Sequence, residues 1–94
     1  MSGSVTLPTL YPLIYQRTTS TNPYNVCSAT PRSGLTDNPS GVIDEGYYVY
    51  VTTNIPLTGH NYVANPSSGD IYNINSSTGL VTSYETNCSD EPTS

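Results

Sequence analysis

From Gly46 onward one pattern repeats: a short run of aromatic and β-branched residues, then a cluster of Gly, Asn, Ser, Asp or Pro. The runs "GYYVYVT", "HNYVA", "IYNIN" and "LVTSYETNC" are separated by "NIPLTG", "NPSSGD" and "SSTG". Four strand-like runs with turn clusters at near-regular spacing predict an antiparallel meander. "SSTG" suits a hairpin loop with Gly79 at the position that needs positive φ, and "SSGD" does the same through Gly69. No segment combines helical spacing with capping signals, so almost no helix is expected. The fold class is all-β: a small antiparallel meander or a compact sandwich with an extended N-terminal arm.

Alternation assigns faces within the runs. Tyr47, Val49 and Val51 share one side of the first, Tyr48 and Tyr50 the other. The expected core is Tyr47, Val49 and Val51 with Val63, Tyr72, Ile74 and Leu80. Tyr48, Tyr50 and Tyr62 then form a face for a partner or a glycan, since aromatic rings stack on sugars and neighbouring amides such as Asn61 bond hydroxyls.

The core has little material. Only 34% of the 94 residues are hydrophobic, and the aromatic ones are all tyrosine. A core this thin calls for help from a disulfide, a metal or burial against other subunits. Cys27 and Cys88 bracket the periodic region. If they pair, the closed loop of about 60 residues is worth roughly 4 kcal/mol by chain entropy. The alternative is two buried thiols acting as small hydrophobes. Pairing is the expectation once the protein reaches an oxidising medium.

Residues 1–26 read as an extended arm, residues 27–88 as the Cys-bracketed β domain, and residues 89–94 as a polar tail. Pro8, Pro12 and Pro23 punctuate the arm, and Leu7, Leu10, Tyr11, Leu13, Ile14 and Tyr15 concentrate apolar surface between them. Exposed apolar patches invite association, so the arm is expected to dock on a neighbouring subunit. The other reading makes it the domain's own first strand.

Charge removes two classes of partner. Arg17 and Arg32 stand against 7 acidic residues, with no lysine, for a net charge of −5. Two separated arginines cannot neutralise a phosphate backbone, and an anionic membrane repels such a chain. Neither nucleic acid nor membrane is expected as a partner. The first residues lack a basic n-region and an unbroken apolar span, so no signal peptide is expected. Synthesis in a cytoplasm followed by release is the expectation, since the composition, rich in Ser, Thr, Asn and Tyr with no Lys, resembles material that ends up outside cells.

Chemistry finds few footholds. His60 is the lone histidine, in a turn with no nucleophile elbow near it, so catalysis is not expected. Asp44 and Glu45 are adjacent, a poor geometry for a carboxylate pair. With Asp37 they lack the spacing of a calcium loop and read as solvated turn acids. No metal or cofactor is expected.

Taken in order, Cys27, "YYVYVTTNIPLTG", "HNYVANPSSGD" and "IYNINSSTGLVTSYETNC" closing on Cys88 resemble the small Cys-bracketed β-modules of tailed-phage virion proteins and some bacterial surface proteins. The resemblance covers residues 27–88 and implies a structural or adhesive part. The resulting expectation is a non-enzymatic virion protein, present in many copies or as a homo-oligomer, that decorates or cements a shell of major capsid or other structural proteins through the apolar arm. The alternative is a carbohydrate-binding or host-adhesion module on a tail or fibre.

Overall fold

In a computed structural model, which describes residues 9–92, the regular structure is mostly β. Its strands are β1 (Tyr11–Thr18), β2 (Arg32–Thr36), β3 (Val49–Thr52), β4 (Ile55–Pro56), β5 (Tyr62–Ala64), β6 (Asp70–Ile74) and β7 (Val81–Asn87). Two short 3-10 helices, Pro23–Ser28 and Cys88–Asp90, are the only helical segments among these residues.

All pairings are antiparallel, in the order β4-β3-β2-β1-β5-β6-β7. Strand β1 is the pivot. Its first part, Tyr11–Tyr15, pairs with β2, and its last part, Gln16–Thr18, pairs with β5. Each half of the fold is thus a meander hung on one long strand. The sheet then curls back on itself: Tyr48 bridges Leu80, with Val81 N–H donating to the Tyr47 carbonyl and Val49 N–H to the Gly79 carbonyl, both at 2.9 Å. That contact joins the start of β7 to the start of β3 and closes the sheet.

The two hairpin loops flanking β6 have the same design. Gly69 N–H donates to the Asn65 carbonyl at 2.7 Å, and Gly79 N–H to the Asn75 carbonyl at 2.9 Å. Both glycines have positive φ, as expected of the residue that ends such a turn.

The closed sheet encloses one core of Leu13, Tyr15, Ile43, Val49, Leu57, Val63, Ile74 and Val81, with Tyr72 packed against it. A second, smaller cluster of Val26, Ala64 and Ile71 lies on the other face of β5 and β6. The first 3-10 helix covers it, with Tyr24, Tyr62, Cys27 and Cys88 packed around it. Cys27 and Cys88 form a disulfide spanning 61 positions of sequence. The buried Gln16 side chain donates to the carbonyls of Cys27 and Ala29, tying this helical segment to β1.

Three expectations need correction. Residues 11–18 are the middle strand of the sheet, so the boundary at Cys27 does not separate an arm from a domain. Leu13 and Tyr15 are fully buried, which settles these positions in favour of a first strand. Pro12 is tolerated because β5 pairs only with Gln16–Thr18, and a proline nitrogen costs no ladder bond where no strand lies beside it. Val51 is exposed rather than in the core, because the β3–β4 register slips between Tyr50 and Thr52. Leu80 yields its place to Val81: β7 slips twice against β6, pairing Ile74 with Val81 and Asn73 with Ser83. Each extra residue reverses the inside–outside alternation beyond it.

Candidate interaction surface

With Val49 turned inward, Tyr48, just before β3, and Tyr50 within it lie on the opposite face, both half-buried. Their ring centroids lie 6.2 Å apart at a tilt of 34°. Asp37 braces this pair from the end of β2, its Oδ1 accepting the Tyr48 backbone N–H at 2.8 Å. Partial burial and the nearby Asp37 charge hold the Tyr50 phenol above its ordinary pKa, so it remains a hydrogen-bond donor well into alkaline solution. Tyr62, expected on the same face, packs instead against the second cluster beneath the first 3-10 helix. The tyrosine face therefore contracts to two residues.

The residues assigned to an arm divide by the alternation of β1. Leu13 and Tyr15 go into the core, Leu10 and Tyr11 are half-buried, and Ile14 stands 51% exposed. Leu7 lies outside the described residues. Ile14 belongs to a groove of about 640 Å³, lined on its apolar side by Pro12, Pro31, Val42 and Pro66. The groove lies where β1 and β5 part company. Segment 41–43 crosses that gap, held by Asn65, whose Oδ1 accepts the Ile43 N–H at 3.1 Å and whose Nδ2 donates to the Ile43 carbonyl at 3.3 Å. Ile43 is thereby drawn into the core while Val42, 43% exposed, faces out beside Ile14. The outward placement of Ile14 between two inward neighbours follows from strand alternation. Nothing local to the sequence brings Val42 and Pro66 to it.

The turn acids are not merely solvated. Asp44 Oδ1 accepts the Glu45 N–H, and Glu45 Oε2 reaches across to the Tyr84 N–H on β7 at 2.7 Å. With Asp37 on Tyr48, all three carboxylates are engaged by backbone amides. Among the described residues, no group of three or more His, Cys, Asp or Glu side chains is arranged to hold a metal ion.

No protein-family model matches the chain, and neither a curated protein nor a solved structure matches it significantly. The geometry itself therefore has to carry the functional reading.

Proposed function

We propose that this chain is a non-enzymatic structural protein of a tailed-phage virion, a small β unit that decorates or cements a larger protein shell. The observation that carries the reading is the outward apolar groove around Ile14 and Val42. In a chain with so few hydrophobic residues, leaving two branched aliphatic side chains together on the surface is a cost to solubility without a partner. Each is already about half-buried, so covering its remaining surface with a shell subunit contributes about 0.7–1.5 kcal/mol. Attachment through this groove replaces attachment through a free arm, because β1 belongs to the sheet. The disulfide suits a particle that leaves the cell, where a thin core gains from a covalent staple.

The test is incorporation into particles. Ile14→Asp and Val42→Asp alter exposed positions and should leave the isolated protein folded. Their copy number relative to the major shell protein, read by mass spectrometry of purified particles, should collapse. Full occupancy of both variants would refute attachment through the groove. Absence of the wild-type chain from particles would refute the virion assignment itself.

A second reading draws on the Tyr48–Tyr50 pair, two adjacent rings beside the Asp37 carboxylate, which suits stacking on a sugar. A neutral-oligosaccharide screen in which binding disappears in Tyr48→Ser would favour adhesion over decoration.

A further inference from the structure

The chain has three basic side chains, Arg17, Arg32 and His60, and all three line one pocket. The register explains the two arginines. Arg32 on β2 stands opposite the inward-facing Tyr15, and Arg17 on β1 stands opposite the buried Val63 on β5. Directly paired residues share a face, and so do residues two apart on one strand. Both arginines therefore sit on the same face of the sheet as Tyr15, at the end of β1 where they line one open pocket. His60 enters the same end from the connection between β4 and β5.

The remaining lining is Thr18, Thr19, Ala29 and Thr30, so the pocket, of about 300 Å³, holds positive charge and hydroxyls and no carboxylate. Arg32 is exposed and Arg17 half-buried, so both guanidiniums are accessible to an anion from solvent. The walls are fixed by bonds that do not use the arginines. Gln16 donates to the Ala29 carbonyl at 2.9 Å, and Asn61 Nδ2 to the Thr19 carbonyl at 2.9 Å. His60 Nδ1 is bonded to the Thr58 carbonyl at 2.9 Å, a contact that requires the proton on Nδ1 and leaves Nε2 as the ring's other polar atom.

We infer that Arg17, Arg32 and His60 form a binding site for a single oxyanion, a phosphate or carboxylate group carried on a small polar molecule. Forked guanidinium donors match such an anion, and threonine hydroxyls complete its hydrogen bonding. Mouths of closed sheets are a recurrent place for small-ligand sites. Partial burial and the fields of Arg17 and Arg32 pull the His60 pKa below its ordinary value, the Thr58 bond opposing them. The polar groups facing the ring from β1, β2 and the segments after them are those two guanidiniums and the hydroxyls of Thr18, Thr19 and Thr30. A bound anion offsets the arginine fields, so binding raises the His60 pKa, and by linkage acid solution tightens binding. The inference is independent of the groove and stands whether or not the protein decorates a shell.

The experiment follows the His60 ring by NMR in the intact protein. The probes are inorganic phosphate and glucuronate, in turn. Saturable shifts with either probe, together with a raised His60 pKa in its presence, are expected. Arg17→Gln or Arg32→Gln should weaken binding about tenfold or more, the loss of one charge-assisted hydrogen bond, with amide dispersion intact. Saturation by phosphate alone assigns a phosphoryl ligand, and saturation by both assigns a ligand class that includes acidic sugars. A non-saturating drift with both probes, or shifts unchanged in the two arginine variants, would overturn the site.

Discussion

Gly34 is the most crowded of the glycines among the described residues. A Cβ built there meets the Tyr50 carbonyl oxygen at 2.5 Å and Tyr15 Cε1 at 2.6 Å. Tyr15 is buried and the Tyr50 carbonyl is backbone, so neither can yield cheaply. Gly34→Ala should destabilise by about 1–3 kcal/mol as overpacking, read from the urea midpoint at unchanged slope. An unchanged midpoint would mean that β2 and β3 part more easily than this packing implies. Val49 and Tyr48 test the face assignment at neighbouring positions. Val49 is fully buried, and Val49→Asp strands a carboxylate in the core, so loss of dispersed amide signals is expected. Tyr48→Ser changes an outward side chain and should keep the fold. Unfolding by Tyr48→Ser with Val49→Asp tolerated would invert the faces of β3.

Among the elements, β1 and the first 3-10 helix depend on each other. The strand organises both halves of the sheet, and the helix covers the outer face of β5 and β6 through Val26 and the disulfide. The helix is one short segment, capped by the Asn22 side chain on the Tyr24 N–H, and has little stability of its own. Cys27→Ser/Cys88→Ser should therefore cost about 2–5 kcal/mol in denaturant unfolding. Amide exchange should accelerate first in residues 23–28 and at the end of β7. Uniform acceleration across all strands would show that the staple stabilises the sheet as a whole rather than this cover. Strand β7 shows why alternation alone misplaces side chains. Its slips put Tyr84 opposite Tyr72, the rings edge to face with centroids 5.6 Å apart, and leave Leu80 as a bridge residue instead of a core one.

At the scale of the whole molecule, pH should limit stability from both sides. His60 has a folded-state pKa below the ordinary 6.5, so the native state resists its protonation. That contribution is present above pH 6.5 and is lost as pH falls through the lower folded value. Tyr50 and Tyr72 are displaced the other way, above 10.0, chiefly by burial and then by acidic neighbours. Their contribution is present below pH 10.0 and lost as pH rises through the folded values. Urea midpoints should fall on both flanks. His60→Gln should flatten the first part of the acid flank, and an acid flank identical in that variant would assign the loss elsewhere.

The all-β class, the turn glycines Gly69 and Gly79 and the inward course of Val49, Val63 and Ile74 were legible in the chain, because alternation and positive-φ turns are local properties of a few residues. Cys27 and Cys88 were legible as a candidate pair from their bracketing positions. What lay beyond reach was whatever depends on residues distant in sequence. The role of β1 was decided by strands on both sides of it, and proline content argued the wrong way because it says nothing about which edge is paired. The bulges in β7 depend on how two strands register, and they moved Leu80 out of the core. The groove joins Ile14, Val42 and Pro66 from three segments, and the basic pocket joins Arg17, Arg32 and His60 across a closed sheet. Closure rests on backbone bonds between residues 46–49 and 79–81, around the bridge of Tyr48 to Leu80. Backbone pairing of that kind leaves no periodic trace in side-chain identity, so only the tertiary structure could place these groups together.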